Sequence, residues 1–176
     1  MKLRLTHLGK LLLLLAALAS IGQSASDPGD ELKAAVVLSF LRYTEWTSVP
    51  AQDPITVAVA GRSDFAKVLR KALEAKAVGA HRLAVVEVQD GPFANCQILY
   101  IAFDRGSDVR RILAAASSSH LLTIGEADRF LDWGGAINLM TLDGHMSFEV
   151  NLDAVARTGD SVSSKLLRFG QIRGAK

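Results

Sequence analysis

The sequence predicts an α/β fold of three layers, in which a largely parallel sheet carries helices on both faces and ends in a C-terminal antiparallel hairpin. Strand-like and helix-like segments alternate from residue 31 to residue 132, and this alternation is typical of parallel strands joined by helical crossovers. Beyond that point two strand-like runs, residues 136–142 and 146–152, are separated by Asp143 and Gly144. Asp-Gly between two such runs is a strong signal for a hairpin.

The first predicted element is a helix over residues 31–46. Leu32, Val36 and Tyr43 follow a helical spacing. Further apolar residues lie between them, so the apolar surface is wider than the stripe of a simple surface helix. The helix is therefore expected either to be buried on two sides, or to be buried on one side and to dock a partner with the other.

The remaining elements follow from apolar runs bounded by glycine, proline and polar turns. Residues 97–103 are apolar on both faces, as expected in the middle of a covered sheet, and Ser107 is predicted to cap a helix at residues 108–116. The other predicted strands span residues 55–60, 81–88 and 120–124. Four further helices are predicted: one that carries Phe65 to Leu73, one over about residues 126–132, a short one that includes residues 155–156, and a last one that begins at Ser163.

The first 26 residues have the layout of a secretory signal peptide: a basic start, an apolar run, and a tail of small and polar residues. The apolar run from Leu11 to Ile21 is shorter than the roughly 20 residues of a membrane-spanning helix. We therefore expect export to the periplasm, cleavage between Gly22 and Ser26, and a single mature domain at residues 27–176. An uncleaved N-terminal anchor is the alternative interpretation.

Charge and cysteine content exclude some function classes. The chain has 20 basic and 18 acidic residues; removing the first 26 residues, with three basic and no acidic ones, leaves 17 against 18 and a net charge of −1. A domain so close to neutrality lacks the electrostatic surface of a nucleic-acid-binding protein. The single cysteine, Cys96, excludes an internal disulfide, and its position before an apolar run predicts that it is buried.

The sequence lacks the motifs of catalysis and of cofactor binding. It has no Gly-x-Ser-x-Gly elbow, no Walker loop and no dinucleotide fingerprint, and its Gly134-Gly135 pair precedes a strand rather than a helix. The histidines and Cys96 lack the short spacing of a zinc site. We therefore predict a protein that is not an enzyme, with no catalytic residues, no metal and no cofactor.

Topology predicts one ligand site. In open parallel sheets, ligands bind beyond the carboxyl ends of the strands where the strand order reverses. If the strands at residues 55–60 and 97–103 are neighbours, that crevice lies between two loops that each supply an arginine, a serine and the start of a helix, and helix N-termini favour anions. The residues concerned are Arg62, Ser63, Arg105 and Ser107. The alternative is that they are solvated loop residues.

A polar surface is predicted on the last hairpin strand. Alternation places Phe148 and Val150 on one face and Glu149 and Asn151 on the other. Glu149 and Asn151 are therefore either part of a partner-binding surface or the solvated face of an edge strand.

Short segments distributed over residues 32–169 match, in order and spacing, the pattern of a known family. They are residues 33–35, 40–43, 45–46, 95–101, 122–126, Phe130, 134–139, 143–144, 148–152 and 163–167. On these residues the chain resembles the YfiR-like periplasmic proteins. It departs from the family pattern at Thr47, where the family often has proline, and at Gln97, where it often has histidine. It also lacks the further cysteines that form disulfides in some members.

The resemblance implies a regulatory role. The family's best-known member represses an inner-membrane diguanylate cyclase by binding the periplasmic part of that enzyme, which lowers cyclic di-GMP signalling and biofilm formation. The expected partner is therefore an inner-membrane signalling protein, either a diguanylate cyclase or a sensor kinase, or else a second copy of the chain in a homodimer. The alternative function is a stand-alone periplasmic domain that binds a small ligand.

Aromatic residues near the end of the first helix are the predicted contact for such a partner. Phe40, Tyr43 and Trp46 lie close together in the sequence, and aromatic side chains supply much of the energy at interface hot spots. The alternative for Trp46 is packing in the core.

Overall fold

Ten strands and five helices make up the fold of residues 27–47 and 49–173, the part of the chain that the computed structural model describes. The predicted signal peptide, residues 1–26, lies outside the described residues. In chain order the elements are α1 (Pro28–Tyr43), β1 (Thr44–Glu45), β2 (Ile55–Gly61), α2 (Ser63–Leu73), β3 (Ala77–Val78), β4 (His81–Val88), β5 (Ile98–Ala102), α3 (Gly106–Ala116), β6 (Leu122–Gly125), β7 (Ile137–Leu142), β8 (His145–Asn151), α4 (Leu152–Ala156), β9 (Ser161–Val162), α5 (Ser164–Leu167) and β10 (Gln171–Arg173).

Eight of these strands form one sheet, in the spatial order β3, β4, β2, β5, β6, β7, β8 and β10. From β4 to β7 neighbouring strands are parallel, whereas β7 and β8 form an antiparallel hairpin. Asp143 (φ 50°) and Gly144 (φ 77°) both lie in the left-handed region, as a type I′ turn requires. The predicted α/β fold with its C-terminal hairpin is confirmed.

The sheet separates two apolar layers. Val57 and Val59 of β2 pack in a cluster with α1 and α2, whereas the alternate residues Ala58 and Ala60 pack in a second cluster with α3. β5 is buried along its whole length. This burial explains why its residues are apolar on both faces of the strand. The fold therefore has the three layers that the sequence predicts.

Helix α1 begins at Pro28 and ends at Tyr43, three residues before its predicted end. The Asp27 carboxylate accepts a hydrogen bond from the Gly29 N–H at 3.0 Å, and proline suits the first helical position because the N–H there has no partner within the helix. After Tyr43 the chain extends and pairs with β9. This long-range pairing, which helical spacing does not reveal, ends the helix.

The segment after β6 is not the helix predicted at residues 126–132. Residues 128–134 form successive turns, and the Gly135 N–H donates to the Phe130 carbonyl at 3.0 Å. Phe130 is fully buried, and a Cβ at Gly125 or Gly135 would lie 2.3 or 2.2 Å from its ring. The two glycines let the backbone approach both sides of the ring, and this tertiary packing outweighs the local helical pattern.

Two predictions for single residues are also corrected. Ser107 lies within the first turn of α3, whose N-cap is Arg105, so the helix begins earlier than predicted. Cys96 is partly rather than fully buried, because it precedes β5 instead of entering the core with it. Its burial is still sufficient to raise the pKa of the thiol.

Strand β10 was not predicted, and it changes the position of β8. Its residues pair in parallel with residues 149–151 of β8. β8 is therefore an inner strand at this point rather than the edge strand considered for Glu149 and Asn151. All three residues of β10 are exposed, so the segment has no alternation of burial from which a strand can be predicted.

Candidate functional site

The carboxyl ends of β2 and β5 form the point where the strand order reverses. The two strands are parallel neighbours, and the chain leaves them towards opposite faces, because α2 packs in one apolar layer and α3 in the other. Such a divergence opens a crevice beyond the strand ends. The neighbouring positions of these two strands, on which the predicted crevice depends, are therefore confirmed.

A close backbone approach fixes one wall of this crevice. Gly61 has a φ of +108°, and a Cβ at this position would lie 2.3 Å from the carbonyl oxygen of Ala102. The N–H of Arg62 donates to the same carbonyl at 3.3 Å. Only glycine fits such a contact, and the contact holds the backbone of Arg62 against the end of β5.

Arg62 binds a buried carboxylate. Its Nη2 donates to Oδ2 of Asp30 at 2.6 Å, and its Nη1 lies 3.4 Å from Oδ1. Asp30, in the first turn of α1, is 2% exposed. A guanidinium that meets both oxygens of a carboxylate forms one of the stronger ion pairs in proteins, so this pair ties the start of α1 to the loop after β2.

The ion pair extends into a chain of polar contacts. Nζ of Lys33 lies 3.4 Å from Oδ1 of Asp30 and 2.7 Å from Oε2 of Glu126. The hydroxyl of Tyr100 donates to the other oxygen of Glu126 at 2.5 Å. We call Asp30, Lys33, Arg62, Tyr100 and Glu126 the Asp30 network; it joins α1, β5 and the ends of β2 and β6.

Burial and charge together shift the pKa values within the Asp30 network. Burial raises the pKa of Tyr100, and the charge and hydrogen bond of Glu126 raise it further. Burial alone would lower the pKa of Lys33, but the hydrogen bonds and charges of Glu126 and Asp30 outweigh it and raise the pKa. The network therefore favours a neutral phenol and a charged ammonium.

The crevice itself has a volume of about 510 Å³. Two arginines line it, but the guanidinium of Arg62 is already bound to Asp30 and that of Arg129 lies 3.4 Å from Asp132. The acidic residues that line it are Asp104, Glu126 and Asp128. The crevice therefore favours the binding of an anion less than its arginines suggest, because the negative carboxylates on its wall repel an anion.

The four residues predicted for the ligand crevice occupy the two predicted loops. All four are described, and Arg62 lines the cavity while Ser63, Arg105 and Ser107 stand outside it. The Arg105 side chain is 86% exposed and lies 3.7 Å from Asp108. Topology thus brings the loops together as expected, but it does not direct the side chains into one site.

Comparison with known proteins assigns the chain to a family. A family model described as YfiR/HmsC-like matches residues 30–171. The chain belongs to the YfiR/HmsC-like family. Within the described residues, no helix combines the length and apolar character needed to cross a bilayer.

Solved structures with the same fold are more distant. A conserved domain protein from Vibrio cholerae superposes with a TM-score of 0.55 at 10% identity, covering 83% of this chain and 60% of that one. The ABC domain from Streptococcus pneumonia, solved in complex with L-Trp, gives 0.54 at 10% identity, with 82% and 60% covered. This YfiR/HmsC-like chain therefore spans about 60% of the length of both solved chains, and these similarities concern the fold alone.

The aromatic residues predicted as a partner contact occupy different environments in this YfiR/HmsC-like chain. Phe40 is fully buried and packs edge-to-face on Phe148, with the ring centroids 5.1 Å apart. Trp46 packs against the same core cluster, and its Nε1 donates to the Leu41 carbonyl at 2.9 Å. Tyr43 is 46% exposed. Of these three described side chains, Tyr43 presents the largest free surface.

Glu149 and Asn151 make contacts within the fold. The Glu149 carboxylate lies 3.8 Å from Nε of Arg173 in β10. Asn151 caps α4, because its side-chain oxygen accepts a hydrogen bond from the Ala154 N–H at 3.1 Å. Their role as a partner contact remains a proposal.

Asn138, in a segment that carries the family resemblance, positions the Asp30 network. It is 3% exposed, and with its amide nitrogen facing the loop it donates to the carbonyl oxygens of Gly125 and Ala127, both at 3.2 Å. The two carbonyls flank Glu126. Asn138 therefore fixes the backbone from which Glu126 reaches Lys33.

Asn138 and most of the Asp30 network were not predicted from the sequence. Two signals were available: Tyr100 carries a polar group in an otherwise apolar strand, and Glu126 follows the carboxyl end of β6 directly. Polar groups at those positions often serve binding sites. For metals, the described residues include no group of three histidine, cysteine or acidic side chains able to hold an ion.

Proposed function

We propose that this protein is exported to the periplasm and regulates, without catalysis, an inner-membrane signalling protein by binding its periplasmic part. The partner proposed first is a diguanylate cyclase, which binding would repress, lowering cyclic di-GMP signalling; a sensor kinase is the other partner class. The observation that supports this proposal is the family match over residues 30–171.

The exposed face of α1 is the proposed contact. Ala34, Val37 and Leu41 are buried on its inner side, whereas Leu32 is 48% exposed. Leu32 and Tyr43 are eleven residues apart, about three helical turns, so both lie along one outward line of the helix. Apolar and aromatic groups exposed on one line are suited to a partner surface.

A photoreactive phenylalanine analogue at position 43 is expected to crosslink, in intact cells, to one inner-membrane signalling protein. The same analogue at position 82 serves as the matched control and is expected to give no such product. Residue 82 is an exposed residue of β4, which lies next to the edge strand β3. Mass spectrometry of the crosslinked species identifies the captured protein. Equal yields from both positions, or only self-crosslinked chains from position 43, would contradict the proposed contact.

The purified partner domain then allows a quantitative test. Tyr43→Ala is expected to weaken its binding about thirtyfold, because a central aromatic at an interface contributes roughly 2 kcal/mol, whereas Tyr43→Phe keeps most of the affinity. Both variants should unfold at the temperature of the parent, since the side chain is exposed. Unchanged affinity in a folded Tyr43→Ala variant would remove Tyr43 from the interface.

A second candidate function is the stand-alone binding of a small ligand in the crevice. The position of the crevice at the strand reversal favours it, and one protein of similar fold was solved in complex with L-Trp. The expected result is that a panel of amino acids, carboxylates and phosphate includes at least one compound that raises the melting temperature.

Two arginine variants separate ligand binding from fold stability in this crevice. Arg129→Gln, at an exposed residue that lines the crevice, is expected to abolish the ligand-induced rise without changing the melting temperature of the free protein. Arg62→Gln is expected to lower the stability of the free protein by about 1–3 kcal/mol, because it removes a hydrogen-bonded partner from buried Asp30. If no compound of the panel stabilises the parent protein, the second candidate is wrong.

A further inference from the structure

A pocket of about 400 Å³ lies beside α3, between that helix, the turn at Trp133 and the end of α4. It is separate from the crevice described above, with which it shares Trp133 among the lining residues. Leu113, Ala116 and Leu121 form an apolar part of its wall. Pockets of this size with an apolar lining and a few polar groups are typical small-molecule sites.

The charged residues of this pocket are both basic. Arg110 and Arg157 line it, together with His120, and the lining contains no aspartate or glutamate. Within the described residues, neither arginine lies in a salt bridge with a carboxylate. Two guanidinium groups beside apolar surface and without a counter-ion create a local positive field, which attracts an anion.

Contacts within the fold orient these basic groups. The guanidinium of Arg110 stands over the ring of Trp133, 5.4 Å from its centroid, and Nη2 of Arg157 lies 3.5 Å from the Gly134 carbonyl oxygen. Nδ1 of His120 lies 2.9 Å from the carbonyl oxygen of Arg157. Basic groups that are held in place before a ligand arrives lose less entropy on binding than free ones.

We propose that this pocket binds a small organic anion that combines one carboxylate with an apolar body. The carboxylate meets the guanidinium groups of Arg110 and Arg157, which match its geometry better than a lysine would. The apolar body covers the wall formed by Leu113 and Leu121. The site gives the domain a chemical input that is independent of the protein contact on α1.

Benzoate is the probe for this proposal, with benzyl alcohol as its neutral counterpart. The chain has two tryptophans, so the indole N–H signal of Trp133 can be assigned from a Trp133→Phe variant and followed by NMR. We expect benzoate to shift this signal saturably, and benzyl alcohol and inorganic phosphate to bind at least tenfold more weakly. Absence of a saturable shift with benzoate would overturn the proposal, as would equal binding of either comparison compound.

Arginine variants assign the site. Arg157→Gln and Arg110→Gln are each expected to weaken benzoate binding at least tenfold, whereas Arg70→Gln, on α2 and paired with Glu87, leaves it unchanged. Each variant retains the dispersed indole signals of a folded protein, because the substituted side chains are exposed. Benzoate binding that depends on Arg129, which lines the crevice, but not on Arg157 would assign the anion to the crevice and overturn the proposal.

Discussion

Replacing Phe130 by alanine is expected to lower the free energy of unfolding by about 3–5 kcal/mol, as deletion of a buried aromatic ring does elsewhere. The ring is fully buried, and the backbones at Gly125 and Gly135 approach it too closely for either glycine to carry a side chain. The surrounding residues 128–134 form turns rather than a helix, so this segment has no regular hydrogen-bond ladder to hold it in place once the ring is removed.

Phe169→Ala is the matched control for this prediction. Phe169 is 78% exposed, so the same change in side chain should alter stability by less than about 0.5 kcal/mol. Urea unfolding followed by circular dichroism measures both variants, and Phe130→Leu keeps the effect measurable if the alanine variant does not fold. Similar losses from Phe130→Ala and Phe169→Ala would show that Phe130 does not anchor its segment.

The parts of the fold that were predicted correctly are those with a local cause. Residues 55–60 form a strand because a run that is apolar except for Thr56 fits a strand buried on both faces. Asp143 and Gly144 form a hairpin turn because both accept a positive φ. The position of the crevice was also predicted correctly, because the order of the strands determines which loops meet at their carboxyl ends.

The parts that were missed depend on contacts between distant residues. Asp30, Arg62 and Glu126 meet in the folded chain, but their sequence separations form no periodic pattern. Phe40 and Tyr43 are three residues apart on one helix, and helical spacing does not show that Phe40 packs on Phe148 while Tyr43 stays exposed. Burial of individual side chains is decided by the neighbouring elements, not by the helix itself.

The same reasoning applies to function. The family pattern is spread over many short segments, and its buried members, such as Asn138, hold the backbone in place. The residues most suited to a partner or a ligand, Tyr43 and Arg157, lie on the surface, where packing does not restrict the choice of residue. The sequence therefore indicates the family more clearly than it indicates the site.

Stability at alkaline pH is expected to depend on Tyr100. This side chain is fully buried, stacks on Phe65 with ring centroids 4.3 Å apart, and hydrogen-bonds Glu126. Its pKa in the folded chain is raised above the ordinary value of 10.0. Above that pH the unfolded chain releases the phenolic proton while the folded chain keeps it, so stability falls by about 1.4 kcal/mol for each further pH unit.

Tyr100→Phe should remove the part of this fall that Tyr100 causes and keep the ring packing. At neutral pH the variant is expected to be about 1 kcal/mol less stable, because Glu126 loses a hydrogen bond; above about pH 11 the difference should disappear and then reverse. Tyr43→Phe, which changes the other of the two tyrosines, is the control, and this variant should keep the alkaline fall in stability. Tyrosinate absorbance of the Tyr43→Phe variant gives an independent measurement, because Tyr100 is then the remaining tyrosine and should ionise only as the protein unfolds. If Tyr100 ionises near pH 10 in the folded variant, or if the Tyr100→Phe difference stays constant with pH, Tyr100 is not held neutral by its buried position beside Glu126.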